Sequence, residues 1–206
     1  MISSRDINQE KDLGPMGKLP SAKQWANENN KEGMKAHAGT FKDAAKFGEV
    51  IFNCTTGVHS IEALKSAGKE HLKNKILIDL ANPLDFSKGM PPFLKISNTT
   101  SLGEQIQAEF PEVKVIKTLN TITAGVMINP NMIQNDHDLF ICGNDVAAKK
   151  WVNDEVLNKW LGWRQVIDLG DVTGSRAMEM YLPLWLRIMN SLGTPYFNIH
   201  VSKKNN

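Results

Sequence analysis

The sequence predicts an α/β fold built on a mostly parallel sheet with crossover helices. Two observations carry this. Short, β-branched apolar runs alternate with helical stretches along most of the 206 residues, the pattern of strands joined by helical crossovers. The hydrophobic fraction is 41%, with five Trp and eight Phe, which is enough apolar mass for one core. No internal repeat or low-complexity linker divides the chain. Residues 1–206 therefore read as a single domain, with a C-terminal helix and strand appended from about residue 173.

Charge and cysteine content exclude several classes. Lys plus Arg is 24 and Asp plus Glu is 22, a net charge of +2 with no basic stripe for nucleic acid. No apolar run approaches the ~20 residues of a membrane helix, and the N-terminus has no secretory segment. Cys54 and Cys142 each end an apolar run and read as buried free thiols. A cytoplasmic protein that contacts neither membrane nor nucleic acid is the expectation.

The elements follow in order. Residues 1–6 read as the tail of a strand entering a loop, and Gly14-Pro15 and Leu19-Pro20 extend that loop to residue 20. Ser21 caps a helix through Asn30, and residues 35–39 form a strand. Thr40-Phe41-Lys42-Asp43 has the form of a capping box and opens a helix ending at Gly48. Val50–Cys54 is a buried strand, 57–74 a helix with Ile61, Leu64 and Leu72 on one side, and Ile76–Leu80 the next strand. Ser101-Leu102-Gly103-Glu104 is a capping box that starts a helix to Phe110. Strands follow at Val113–Leu119 and Asp138–Cys142, then a helix over 145–161 and a strand at Gln165–Leu169.

The last helix spans 175–192 and stops at Gly193, with Pro195 beyond. It is apolar nearly all round, and Pro183 should kink it. Two readings stand: burial in its own domain, or a subunit interface. Residues 196–201 read as a terminal strand.

In a doubly wound sheet, ligands lie beyond the carboxyl ends of the strands. After the strand ending at Cys54 come Thr55, Thr56 and Gly57, whose hydroxyls and amides suit a phosphate or ribose, or simply cap a helix. After Leu80 comes Ala81-Asn82-Pro83, suited to a carboxamide or to an ordinary turn. After Leu119 come Asn120, Thr121 and Ala124. Together these suggest one polar cleft. Ser4 and Arg5, at the end of the first strand, suit the 2′-phosphate of NADP, although Arg5 taken alone is an ordinary surface arginine and Asp6 beside it blunts the preference for NADP over NAD. Arg176 and Glu179 read as a structural pair. His59 follows the threonine loop and could line the cleft. The five histidines lack metal-ligand spacing, no nucleophile elbow is present, and no catalytic residue stands out.

At this point the sequence resembles the F420-dependent NADP oxidoreductase family. The matching pieces are Ser3-Ser4-Arg5-Asp6, residues 52–59 (FNCTTGVH), 79–84 (DLANPL), 117–122 (KTLNTI), 141–145 (ICGND) and Asp168-Leu169-Gly170 running into Ser175-Arg176-Ala177-Met178-Glu179. The resemblance covers almost the whole chain and implies a Rossmann-like fold and an NADP-dependent oxidoreductase. Hydride would pass between NADP(H) and a deazaflavin, a flavin or another small redox partner.

The resemblance assigns the 2′-phosphate to Ser4 and Arg5. Cys54, Thr55 and Thr56 fall beside the phosphates and nicotinamide ribose, and Asn82, Pro83, Asn120, Thr121 and Ala124 near the nicotinamide. It places Phe197 over that pocket and implies a homodimer. The family's opening strand and Gly-x-Gly-x-x-Gly loop do not occur here, since the chain begins at the end of the second strand. Gly14-Pro15-Met16-Gly17 is a further departure. The alternative reading is a dinucleotide-binding or dimeric scaffold protein without catalysis.

Overall fold

The computed structural model describes residues 1–12 and 17–204. The central sheet has five strands: β5 (Val50–Asn53), β6 (Ile76–Asp79), β9 (Lys114–Thr118), β10 (Leu139–Gly143) and β11 (Val166–Asp168), in the order β11-β10-β9-β6-β5. β5, β6 and β9 are parallel neighbours, β10 runs antiparallel to β9, and β11 is parallel to β10. The sheet is therefore mostly parallel, with one reversal at β9–β10.

A separate parallel pair joins β1 (Ile2–Ser3) to β4 (Ala38–Gly39). The expected strand at 35–39 is thus only its last two residues. Among the described residues nothing pairs with the outer edge of β5. β2 (Lys11–Asp12) and β3 (Lys18–Leu19) form a short antiparallel ladder in the stretch read as plain loop. The Gly14-Pro15-Met16 insertion lies outside the described residues, apart from its neighbour Gly17.

The helices start where side chains can cap them. Ser21 accepts the Gln24 amide hydrogen and opens α1 (Ala22–Glu28), two residues shorter than expected. At α2 (Phe41–Phe47) both halves of the Thr40–Asp43 capping box form. The helix expected over 57–74 is broken: a 3₁₀ turn over 57–59, α3 (Ser60–Ala67), then α4 (Lys69–Leu72). Gly68 breaks it at φ 89°, a conformation open to glycine. β7 (Leu84–Asp85) and β8 (Phe93–Leu94) make a small antiparallel pair in the long loop.

α5 (Leu102–Glu109) is capped by Ser101, but the box is only half formed. The Glu104 carboxylate accepts from the Ser101 hydroxyl and turns to Arg176 instead of the cap's backbone. α6 (Ala124–Ile128) follows β9. α7 (Val146–Trp151), capped by Asp145, continues as a π-helical stretch over 152–160.

Successive residues of a strand face opposite sides, so the sheet has two cores. Ile78, Ile116 and Ile141 pack under α6, α7 and the buried Trp163. Leu77 and Val115 face α3, α4 and α5, together with Leu64, Leu72 and Ile106.

The C-terminal region departs most from expectation. It divides into α8 (Ser175–Met180) and α9 (Leu182–Leu192), with Pro183 in the first turn of α9, where its missing N–H costs little. Burial all round is not what the structure shows. Met178, Leu182 and Leu186 are buried, but Met180, Leu184 and Leu192 are 45%, 56% and 57% exposed. The terminal strand does not form. Instead the Ile199 carbonyl accepts the Asp138 amide hydrogen, Val201 donates to the Asp138 carboxylate, and Asn198 donates to the Asp138 carbonyl. One backbone bond and two bonds through the Asn198 and Asp138 side chains thus stand where a ladder was expected. Among the described residues no helix is long and apolar enough to cross a membrane, and no His/Cys/Asp/Glu group could hold a metal ion.

Candidate functional site

The carboxyl ends of β5, β6 and β9 carry a row of polar side chains fixed by strand register. Asn53 pairs with Asp79, Asp79 with Lys117, and Lys117 with Cys142 of β10. All four therefore face the same side of the sheet, the side covered by α3, α5 and α8. All four are also buried.

Lys117 is the centre of this row. Its ammonium is 2.8 Å from Asp79 Oδ2 and 2.9 Å from Glu179 Oε1 of α8, and it donates to the Ala81 carbonyl. Asp79 Oδ1 accepts from Asn53 Nδ2 at 2.7 Å and from the Ala81 amide at 3.2 Å. Glu179 accepts from the Leu102 and Gly103 amides at the start of α5.

A cation so enclosed persists only because anions meet it. Burial alone would push Lys117 down, but the charges of Asp79 and Glu179 prevail and hold it above the ordinary lysine value. Burial pushes the Glu179 carboxyl up, opposed by Lys117 and the two α5 amides. Burial also raises the Cys142 thiol to about 11, against its hydrogen bond with Ser175, which leaves it protonated and unreactive.

These contacts correct the sequence reading. Arg176 and Glu179 do not pair with each other, because they leave α8 toward different partners: Arg176 to Glu104 and Glu179 inward to Lys117. Cys54 is exposed, since β5 ends one residue earlier than expected.

Above the row lie the loops proposed to bind a ligand. The Thr55 hydroxyl is engaged by Asn53 Oδ1 at 2.7 Å and the Ser60 hydroxyl at 2.8 Å. Thr56 is exposed and makes no capping bond. Neither threonine caps the helix through its side chain. Gly57 then touches the next loop: a Cβ built there would stand 2.1 Å from the Asn82 carbonyl oxygen.

Asn82 and Asn120 clasp each other. Asn82 Nδ2 donates to the Asn120 carbonyl at 2.8 Å, and Asn120 Nδ2 donates to Asn82 Oδ1 at 2.9 Å. Leu119, just before the clasp, has φ 64°, a strained backbone for a branched residue. Asn120 Oδ1 and the Thr121 hydroxyl are buried without a hydrogen-bond partner. An acceptor and a hydroxyl left unsatisfied in this way fit a ligand that brings a donor to Asn120 and either a donor or an acceptor to Thr121. Pro83 is buried beside them and Ala124 is exposed at the start of α6.

Thr55, Asn82, Pro83, Asn120 and Thr121 are thus brought together through Gly57, with Ala124 nearby in sequence. Ser4 and Arg5 lie apart. Ser4 donates to the Asp6 carbonyl, and Arg5 is 3.8 Å from Glu62 on α3, with 75% and 67% of the two side chains exposed. That contact still carries Arg5 to the helix that follows the threonine loop, where exposed His59 also approaches Glu62. Phe197 was expected over the nicotinamide pocket. It is buried and stacked on Trp185 at 5.4 Å. The ring that reaches the Ala124–Gly125 turn is Tyr196, 2.9 Å from a Cβ built on Gly125.

Sequence reasoning missed Asp79, Lys117 and Glu179 as one group. The available signal was opposite charges near the ends of two apolar strands, which burial makes costly unless they meet.

The fold and the row of loops at its strand ends define a Rossmann-like α/β protein. No family model matches the chain. A crystal structure described as a candidate F420-dependent NADP-reductase from Arthrobacter sp. FB24 is 46% identical, covers 98% of this chain and 87% of its own, and superposes with a TM-score of 0.86. The F420-dependent NADP reductase of Methanocaldococcus jannaschii is 34% identical over 145 residues, 69% of this chain and 63% of that reductase, so less than two thirds of its length is matched. An imine reductase from Myxococcus stipitatus, solved with NADP⁺, is 16% identical over 84% of this chain and 52% of its own, with a TM-score of 0.53, and shares the fold alone. The chain belongs to the F420-dependent NADP reductase family.

Proposed function

We propose that residues 1–206 act as one NADP(H)-binding unit of an oxidoreductase that passes hydride between the nicotinamide and a deazaflavin of the F420 type. The observation that carries this reading is the pair of unpartnered buried oxygens at Asn120 and Thr121, in a chain 46% identical to a structure described as such a reductase.

The chain's own residues would bind and orient. Asn82, Asn120 and Thr121 would hold the nicotinamide end, with Pro83 and the Ala124 backbone beside it. Cys54, Thr55 and Thr56 would lie along the ribose and phosphates. Ser4 and Arg5 would donate to the 2′-phosphate, Arg5 exchanging Glu62 for a dianion. Bound nicotinamide and deazaflavin supply the redox chemistry themselves, a hydride leaving one ring carbon for another. The hydride step itself would need no protein acid or base, the proton that balances reduction of the deazaflavin ring exchanging with solvent, and the buried, raised Cys142 thiol offers no nucleophile.

A second copy of the chain is part of this proposal. Met180, Leu184, Ile188 and Leu192 recur every four residues, and three of the four are exposed. That spacing makes one apolar stripe along α8 and α9, suited to an isologous contact.

Titration with NADPH and NADH, read by cofactor fluorescence, followed by mixing with F420, tests the reading. Micromolar NADPH binding, weaker NADH binding and hydride exchange with F420 are expected. A folded chain that binds neither nucleotide would favour the scaffold alternative.

A further inference from the structure

Both backbone polar groups of Ala81 are held by the buried charged row: its amide donates to Asp79 Oδ1 and its carbonyl accepts from Lys117. Asn82 is the next residue, and its carbonyl lies where a side chain at Gly57 would otherwise stand. The same Asp79 holds Asn53, whose Oδ1 takes the Thr55 amide and hydroxyl. One ammonium therefore governs the loops after β5 and β6. Buried ion sets add little net stability compared with apolar packing. What this one supplies is the orientation of the turn that carries the Asn82–Asn120 clasp.

We propose that Lys117 is a positioning residue for hydride transfer: clamped between Asp79 and Glu179, it fixes the Ala81 carbonyl and thereby the placement of Asn82 and Asn120 against the nicotinamide. This rests on the hydride-transfer reading above. Lys117 touches neither reactant; it acts through the turn. A misplacement of order 1 Å at such a clasp is enough to slow transfer about a hundredfold while leaving binding contacts elsewhere intact.

The test compares the full wild-type chain with two variants, measuring melting temperature, NADPH dissociation constant and the single-turnover rate of hydride transfer between NADPH and F420. Asp79→Asn/Lys117→Met removes the central pair and leaves a single buried carboxylate, Glu179, without its cation. The amide introduced in place of the Asp79 carboxylate retains an oxygen for Asn53 and Ala81, and Glu179 keeps its two α5 amides. Glu179→Gln keeps Lys117 on Asp79 and Ala81 and weakens the ties of α8 to Lys117 and to the start of α5, since an amide has one acceptor oxygen where the carboxylate had two.

For the double variant the expected result is a cooperative melt, an NADPH dissociation constant within about threefold of wild type, and a transfer rate at saturation at least about tenfold lower. Glu179→Gln should melt earlier yet lose less than about threefold in rate. A double variant that transfers within about twofold of wild type overturns the proposal. So does one that fails to fold, or one whose binding and rate fall in equal measure, since either makes Lys117 merely structural. If wild type binds NADPH but transfers nothing to F420, the parent reading fails first, and that is visible before any variant is made.

Discussion

Asn120 is 3% exposed and locked to Asn82 by two hydrogen bonds, whereas Arg5, at the opposite end of the proposed cofactor site, has a side chain 75% exposed and only a 3.8 Å contact with Glu62. The first end is tied down by the charged row beneath it, which holds the turn that carries Asn82. The second can rearrange at little cost, since an exposed ion pair of this kind contributes at most about 1 kcal/mol and is screened by salt. The difference separates two tasks. On the proposed reading, geometry for transfer falls to the buried end and recognition of a phosphate to a side chain free to reach it.

Four changes would break or sharpen that contrast. Lys117→Met alone should have the largest effect, since it leaves Asp79 and Glu179 as buried carboxylates without their cation. A loss of about 3–5 kcal/mol in denaturant unfolding is expected, and a loss below about 1 kcal/mol would mean that the row is not the rigid base of this end.

Gly57→Ala comes next. Its methyl would fall onto the Asn82 carbonyl, which is backbone and cannot swing away, so about 1–3 kcal/mol should be lost. Nucleotide binding should weaken as the two loops separate.

Arg5→Ala should leave the melting curve unchanged and reduce the preference for NADPH over NADH by about tenfold, an effect that shrinks at high salt. An unchanged preference would remove Arg5 from the phosphate site.

The smallest effect concerns Glu104. The Arg176 hydrogen bond, opposed by burial and helped by Ser101, holds its carboxyl below the usual glutamate range. A depressed acid stabilises the fold above its unfolded value and loses that contribution as pH falls through the folded one. Melting temperature followed below about pH 4.3 should therefore fall less steeply in Glu104→Gln than in wild type, by a few degrees at about pH 3.

Much of this was legible in the chain. Strand positions followed from apolar runs at β5, β6, β9 and β10, because a buried strand must be apolar on both faces. The Thr40–Asp43 box formed because capping is decided within four residues. The cleft loops at Thr55, Asn82 and Asn120 could be named because each follows a strand of the parallel part of the sheet. The break at Gly68 was missed because a glycine inside a helical pattern signals nothing about its sign of φ. The terminal strand was expected at 196–201, and in its place single bonds tie the segment to the backbone and carboxylate of Asp138.

Local pattern in the sequence determined which segments would be strands and helices, where three helices would be capped, and which polar loops would follow the parallel strands. Tertiary structure alone decided that β10 reverses, that the last helix keeps an apolar stripe uncovered, and that Glu179 leaves Arg176 for Lys117. The physical reason is range. Propensity and capping act over a few residues, but the bond from β6 to β9 to α8 joins Asp79, Lys117 and Glu179 across the fold, and the cost of burying a charge is met only by partners that folding delivers.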